Sequence, residues 1–240
     1  MNNLNGVANF RATVQYIVVS VNTTGIVATS GMQVAHNLIY RNTTTGLLVS
    51  GVSDVRVYQN TFYATSGDNI RLQSAASNVE VRGNILWARA GYDIYVANDS
   101  QAGFFSDYNN LYADQGGRIG YWTRDFTDVL DWQADIARFD LHSIGATVVN
   151  PVWAKPQFQD TDRNDFRLFA ATAGLRFTSP DLEGADARLD QAVPPHYRNL
   201  LANARFEAGL SGWSANAGAG VKSGSPSAFE GTQYFNAGNV

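Results

Sequence analysis

The chain has 240 residues, enough for one large β domain or for one domain and part of a second. With 45% hydrophobic and 16% charged residues, a net charge of −4 and a pI near 5.3, it is neither a disordered chain nor one built for nucleic acid or an anionic membrane, which would call for a clustered basic face. There is no cysteine, hence no disulfide framework or thiolate metal site; no signal peptide is visible and no apolar run is long enough to span a bilayer.

Val14–Val21 is rich in β-formers and is followed by the turn-like Asn22–Thr23–Thr24–Gly25. From Gly25 onward two short phrases alternate. The first runs Gly25–Ala28, Gly46–Val49, Asn69–Leu72, Asp93–Val96 and, more weakly, Arg118–Tyr121; Ile26, Leu47, Ile70, Ile94 and Ile119 step by 21, 23, 24 and 25 residues. The second is apolar-x-apolar, two residues, asparagine, then an apolar cluster. It is centred on Asn37, Asn60, Asn84 and, loosely, Asn110, with steps of 23, 24 and 26.

Two interleaved β-patterned repeats of one period indicate a solenoid. Their period-2 patterning excludes helical repeats, and the leucines that a leucine-rich repeat requires at fixed positions are missing. The expected fold is therefore all-β, a right-handed parallel β-helix in which like positions stack about 4.8 Å apart from coil to coil. In it the asparagines line a buried bend, where each amide can satisfy backbone groups the sheets leave unpaired and bond to the asparagine of the next coil.

After Tyr112 the repeat decays. Thr127 followed by Asp128–Ile136 predicts one short capped amphipathic helix, with Val129, Trp132 and Ile136 on one face. Phe158–Asp160 and Asp165–Leu168 read as closing strands of the solenoid. The expected organisation is a β-helix over residues 1–175, an extended linker over 176–198 marked by Ser179–Pro180 and Pro194–Pro195, and a third segment over 199–240.

The asparagine coils, with Asp107–Tyr112, Leu130–Gln133, Asp140–Ser143 and Asp165–Leu168, resemble the pectate-lyase-like superfamily of right-handed parallel β-helices over roughly residues 14–170. The tail Asn203–Trp213 resembles the opening of a carbohydrate-binding jelly-roll module, of which 199–240 would be a truncated start. These resemblances imply a polysaccharide partner, a secreted or cell-surface location, a monomer, and a piece of a longer exported protein; they do not fix an activity.

Candidate chemistry follows from aligning the coils. Tyr40, Tyr63 and Trp87 form an aromatic ladder, which either binds sugar faces (Tyr63 and Trp87 as substrate-binding residues) or stabilises the coil by packing. On the sheet of the first phrase, outward positions change from Val27 and Leu48 to Asn69, Arg71 and Gln73, then Asp93 and Tyr95, then Arg118 and Trp122, with Asp68 alongside. Asp68, Arg71, Asp93, Tyr95 and Arg118 are the candidate catalytic residues; Asn69 and Trp122 would contact substrate. In β-elimination on a uronic acid, Arg71 or Arg118 would neutralise the carboxylate and Tyr95 or an arginine would remove the proton. In hydrolysis Asp68 and Asp93 would be the carboxyl pair. Gly67–Asp68–Asn69–Ile70 is similar to the polygalacturonase Gly-Asp-Asp signature, but Asn69 replaces one carboxylate, which favours the lyase. The alternatives are ordinary cross-coil ion pairs and a non-catalytic glycan-binding or adhesive β-helix. No cofactor is expected, with calcium as the alternative: Asp160, Asp162 and Asn164 have the odd spacing of a calcium loop and Asp165 adds charge, but its central glycine and closing glutamate are missing and a turn between strands explains them as well.

Overall fold

The computed structural model of the chain describes residues 5–8, 13–136, 138–150, 152, 154–168, 220–223 and 233–236. The chain divides into two compact units, Met1–Pro195 and His196–Val240. In the first, three sheets share one axis. Each coil gives each sheet a short parallel strand, as in Gln33–Ala35, Leu38–Tyr40 and Thr45–Ser50, then Arg56–Tyr58, Thr61–Ala64 and Asp68–Gln73. The first sheet has seven strands and contains Thr45–Ser50, Asp68–Gln73, Tyr92–Val96 and Arg118–Trp122. The second has five and contains Gln33–Ala35; the third has six and contains Leu38–Tyr40. The expected all-β parallel β-helix is the fold, with about five turns.

The register places like on like. Ile26, Leu47, Ile70 and Ile94 pair in succession in the first sheet, Val34, Val57 and Val81 in the second, and Ile39, Phe62, Leu86 and Leu111 in the third. All are buried, and each contributes about 2 kcal/mol relative to exposure. Burial alone would tolerate many registers; the bends decide among them.

At the bend between the second and third sheets the asparagines form the expected ladder. The backbone N–H of Asn37 donates to Asn60 Oδ1 (3.0 Å), that of Asn60 to Asn84 Oδ1 (2.9 Å), and that of Asn84 to Asn109 Oδ1 (2.9 Å). Each Nδ2 donates to the same oxygen and also back to a strand carbonyl, Val14, Val34 and Val57 in turn. The fourth rung is Asn109, correcting Asn110: the turn through Asn98–Ser100 holds one more residue than its predecessor.

The ladder ends on Ser143 and Asp140. The Asn109 N–H donates to Ser143 Oγ (2.7 Å), and Asn109 Nδ2 donates to Ser106 Oγ and Asp140 Oδ1 (both 3.0 Å). Asp140 Oδ2 accepts Trp132 Nε1–H at 2.8 Å, which ties the ladder to the helix Val129–Ile136. That helix closes the coil: a Cβ on Gly120 would lie 2.6 Å from the Trp132 ring. Its N-terminus is capped by Asp128 rather than Thr127, since Asp128 Oδ1 accepts the Leu130 N–H (2.7 Å). The side chain of Ile136, placed on the helix face by its spacing, lies outside the described residues.

Two further expectations are corrected. Gly120, not Ile119, pairs with Ile94, because the turn Ala113–Arg118 is one residue longer than Ala88–Tyr92. This puts Tyr121 rather than Trp122 in the outward column of the last coil, while Arg118 stays outward at the start of the strand. Phe158–Asp160 and Asp165–Leu168 are not further coils but an antiparallel hairpin, with Phe158 opposite Leu168. In the second unit Gly220–Ser223 and Gln233–Asn236 form an antiparallel pair; residues 169–219, including the linker and the Asn203–Trp213 motif, lie outside the described residues.

Asn84→Ala leaves the Asn60 N–H and the Val57 carbonyl without their buried partners. We expect about 3 kcal/mol of destabilisation in urea unfolding, against less than about 0.5 kcal/mol for Arg56→Ala at the exposed Arg56–Glu80 pair. Equal losses in the two variants would contradict the role given to the ladder.

Candidate functional site: the outward face of the first sheet

The first-sheet strands enter through tight turns. A Cβ on Gly67 or on Gly91, both at positive φ, would lie 2.1 Å from a carbonyl of the preceding coil, so glycine lets coil press on coil immediately before Asp68 and Tyr92. Asp68 is buried and Arg71 half-buried. Arg71 Nε donates to Asp68 Oδ2 at 2.6 Å, and Asp68 Oδ1 accepts the Tyr92 N–H at 3.0 Å. Burial pushes the Asp68 carboxyl up, and Arg71 opposes this in part.

Tyr95 sits between two neighbours. The Arg71 guanidinium of the preceding coil lies 3.8 Å from its ring centroid, and Tyr121 of the following coil stacks at 4.6 Å and 13°. Tyr92 packs edge-on against Tyr95, and its hydroxyl donates to Asp125 Oδ1 at 2.7 Å. Asp125 Oδ2 also lies 2.9 Å from Arg118 Nε. Burial, then the bond to Asp125, pushes the Tyr92 phenol up to about 12. The result is a continuous surface of Arg71, Tyr95, Tyr121, Tyr92, Arg118 and Asp125, backed by the buried Asp68. Arg71 and Arg118 stand two coils apart, about 10 Å along the axis, and three residues apart along the strand direction, with side chains 29% and 39% exposed. Because the ring faces of Tyr95 are taken, a ligand meets ring edges, hydroxyls and guanidinium groups.

Four of the five candidate catalytic residues are thus together: Asp68, Arg71, Tyr95 and Arg118. Asp93 is not with them. It is fully buried, accepts from Asn69 Nδ2 at 2.8 Å, and burial pushes its carboxyl well above the usual carboxylate range. Asn69, expected on the surface, is buried with it. Both stand at the corner where the chain enters the sheet, and the preceding coils show why. There the corner is filled from the turn by Asn22 and Asn42, a second short ladder in which Asn22 Nδ2 donates to Asn42 Oδ1 (3.2 Å), and the strand position is Gly25 or Gly46. A Cβ on Gly25 would lie 2.8 Å from Asn42 Nδ2. Where the turn lacks asparagine, Asn69 and Asp93 supply the inward polar group. The glycines at 25 and 46 were the available signal that this position faces inward.

Trp122, half-buried, also leaves the outward column. It pairs with Val96 in the inward column and packs on Phe104 and Phe139, while Tyr121 takes the outward place beside Tyr95. Tyr63 and Trp87 belong to a packed ladder with Tyr40 and Tyr112; Phe158 and Phe166 of the hairpin cover it, and Arg41 Nη2 holds the hairpin by the Thr161 carbonyl (2.9 Å). At the calcium-like spacing, Asp160 Oδ1 accepts the N–H groups of Asp162 and Arg163, and Asp165 pairs with Arg167. Among the described residues no group of three or more histidine, aspartate or glutamate side chains is arranged to hold a metal ion. Tyr92, Tyr121 and Asp125 were missed from the sequence; the place of Tyr121 depends on the exact register of the last coil, and that of Asp125 on the strand Arg124–Phe126, which returns antiparallel to it.

The family described as a right handed beta helix region matches residues 4–130, just over half of the chain. No curated protein and no solved structure matches.

The Asp93 carboxyl makes a pH prediction. Its folded-state pKa lies above its unfolded value, so its stabilisation is complete below about pH 3.9 and is lost as pH rises toward the folded pKa. Asp93→Asn removes this titration. Its Tm relative to wild type should therefore climb between about pH 4 and neutrality; a difference that stays flat would place Asp93 in contact with water.

Proposed function

The chain belongs to the right-handed β-helix family, and we propose that it is a carbohydrate-active member that grips an acidic polysaccharide along the outward face of its first sheet. The observation that carries this is the juxtaposition of Arg71 and Arg118, both partly exposed and two coils apart, around the hydroxyl-bearing edges of Tyr95, Tyr121 and Tyr92. Guanidinium groups suit carboxylates because their paired N–H donors match the two oxygens. The tyrosine hydroxyls offer further bonds to sugar hydroxyls. Asp68 and Asp125 hold the arginines in place, so little side-chain entropy remains to be lost on binding. The same reading makes the protein a monomer that works outside the cell, secreted or at its surface.

Depolymerisation by β-elimination is the second reading, favoured by the placement of a cation and a phenol, Arg71 and Tyr95, in direct contact. Hydrolysis by Asp68 and Asp93 is not carried further, since Asp93 cannot reach a glycosidic bond from the core. A rise in ultraviolet absorbance on incubation with a uronate polymer would mark the lyase; binding without such a rise would mark the glycan-binding protein.

Calorimetric titration with polygalacturonate oligomers tests the binding face. Arg71→Ala and Arg118→Ala should each weaken binding about tenfold, as expected for loss of one charge-assisted bond, with affinity falling as salt rises. Unchanged affinity in both variants would remove the first sheet from the reading.

A further inference from the structure

A second constellation stands on the second sheet, apart from the face just described. Asp107 ends the strand Phe105–Asp107 and is buried. Its Oδ1 accepts the N–H groups of Tyr108 and His142, both at 2.9 Å, and its Oδ2 lies 2.8 Å from His142 Nδ1. The imidazole rests flat on the Tyr108 ring, 4.9 Å between centroids and 7° between planes. Yet the His142 side chain is 61% exposed, against 10% for Asp107. The ring is therefore held on one edge and one face while its other edge meets solvent. With a carboxylate against Nδ1, the neutral ring keeps its proton there, and the lone pair of Nε2 is left outside.

Tethering of the returning chain does not require this arrangement. The backbone N–H of His142 already bonds Asp107, and Ser143 and Asp140 are fixed by the asparagine ladder. The other charged groups at the patch are Arg82, the register partner of Asp107 on the adjacent strand, and Glu80, 3.1 Å from Arg82 Nε; Asp140 in the same loop is turned into the core.

We propose that His142 is the general base of a second site, one that hydrolyses carboxylic esters, with Asp107 as its positioning residue. His142 Nε2 takes a proton from water as the water oxygen bonds to the ester carbonyl carbon, and the negative charge develops on the carbonyl oxygen. The bond from that carbon to the alkoxy oxygen then breaks, and the imidazolium proton passes to the departing oxygen. The products are an alcohol and a carboxylic acid, which ionises to solvent. An ester fits better than a glycoside because glycosidic cleavage needs two carboxyl groups flanking the bond, and here Asp107 is turned onto the imidazole while Glu80 is paired with Arg82. A positioned base acting on water is enough for an acyl carbon.

The test uses the full chain with p-nitrophenyl acetate, and no polysaccharide enters the assay, so its outcome is independent of the first-sheet reading. Wild type should turn over many equivalents, with a rate that follows the His142 imidazole titration read by NMR in the same buffers. His142→Asn keeps a side-chain N–H for Asp107 but lacks the base; its rate should fall about a hundredfold at unchanged Tm. In Asp107→Asn the pH midpoint of the rate should move together with the NMR titration of His142. An equal rate in His142→Asn, or consumption of a single acetyl equivalent that leaves an acylated imidazole, would overturn the proposal.

Discussion

The asparagine ladder is the constraint on which the other features of this molecule depend. Apolar stacking supplies most of the favourable energy, but valine on valine is indifferent to a slip along the axis. An amide that must accept two N–H bonds from one coil while donating back to a strand carbonyl tolerates no slip. The ladder also has a direction: its backbone N–H donors point toward the C-terminal end, where unmatched N–H groups would collect. Asp140 stands there, fully buried, accepting from Asn109, Ser106, Ser143 and Trp132. Burial pushes its carboxyl up, and those bonds oppose the shift. One carboxyl thus ends the ladder and anchors the helix that closes the core.

Fixing the inside of each coil fixes its outside. On the first sheet four successive coils place an inward polar group at the corner, supplied by Asn22 and Asn42 from the turn and then by Asn69 and Asp93 from the strand, before Ile119 takes the position in the last coil. This exchange explains why a carboxylate that sequence parity places on the surface lies in the core. It leaves Arg71, Tyr95 and Tyr121 as the outward column, stacked at the coil spacing and flanked by ion pairs. Such a surface is preorganised and already neutralised within itself, which suits recognition of a long polar ligand better than it suits a paired-carboxylate hydrolysis.

Much of this was legible in the sequence. The period, the buried asparagine bend and the grouping of Asp68, Arg71, Tyr95 and Arg118 follow from repeats and parity, and the short helix from its cap and helical spacing. What was not legible came from turns. One extra residue around Asn98–Ser100 made Asn109 and Asn110 equivalent to the eye, and one more in Ala113–Arg118 exchanged Tyr121 for Trp122. A strand pattern with period 2 carries no record of a single residue absorbed in a loop. The burial of Tyr63 and Trp87 was hidden for another reason: the hairpin that covers them comes from about seventy to a hundred residues further along the chain, beyond any local pattern.

The central claim is that the internal ladder presents one face, the outward side of the first sheet, to a polysaccharide. Amide hydrogen exchange with and without an acidic uronate oligomer tests it directly. The account predicts added protection confined to Asp68–Gln73, Tyr92–Val96 and Arg118–Phe126, with the second- and third-sheet strands unchanged. Protection centred on the third sheet or its covering hairpin, or none at saturating oligomer, would contradict it.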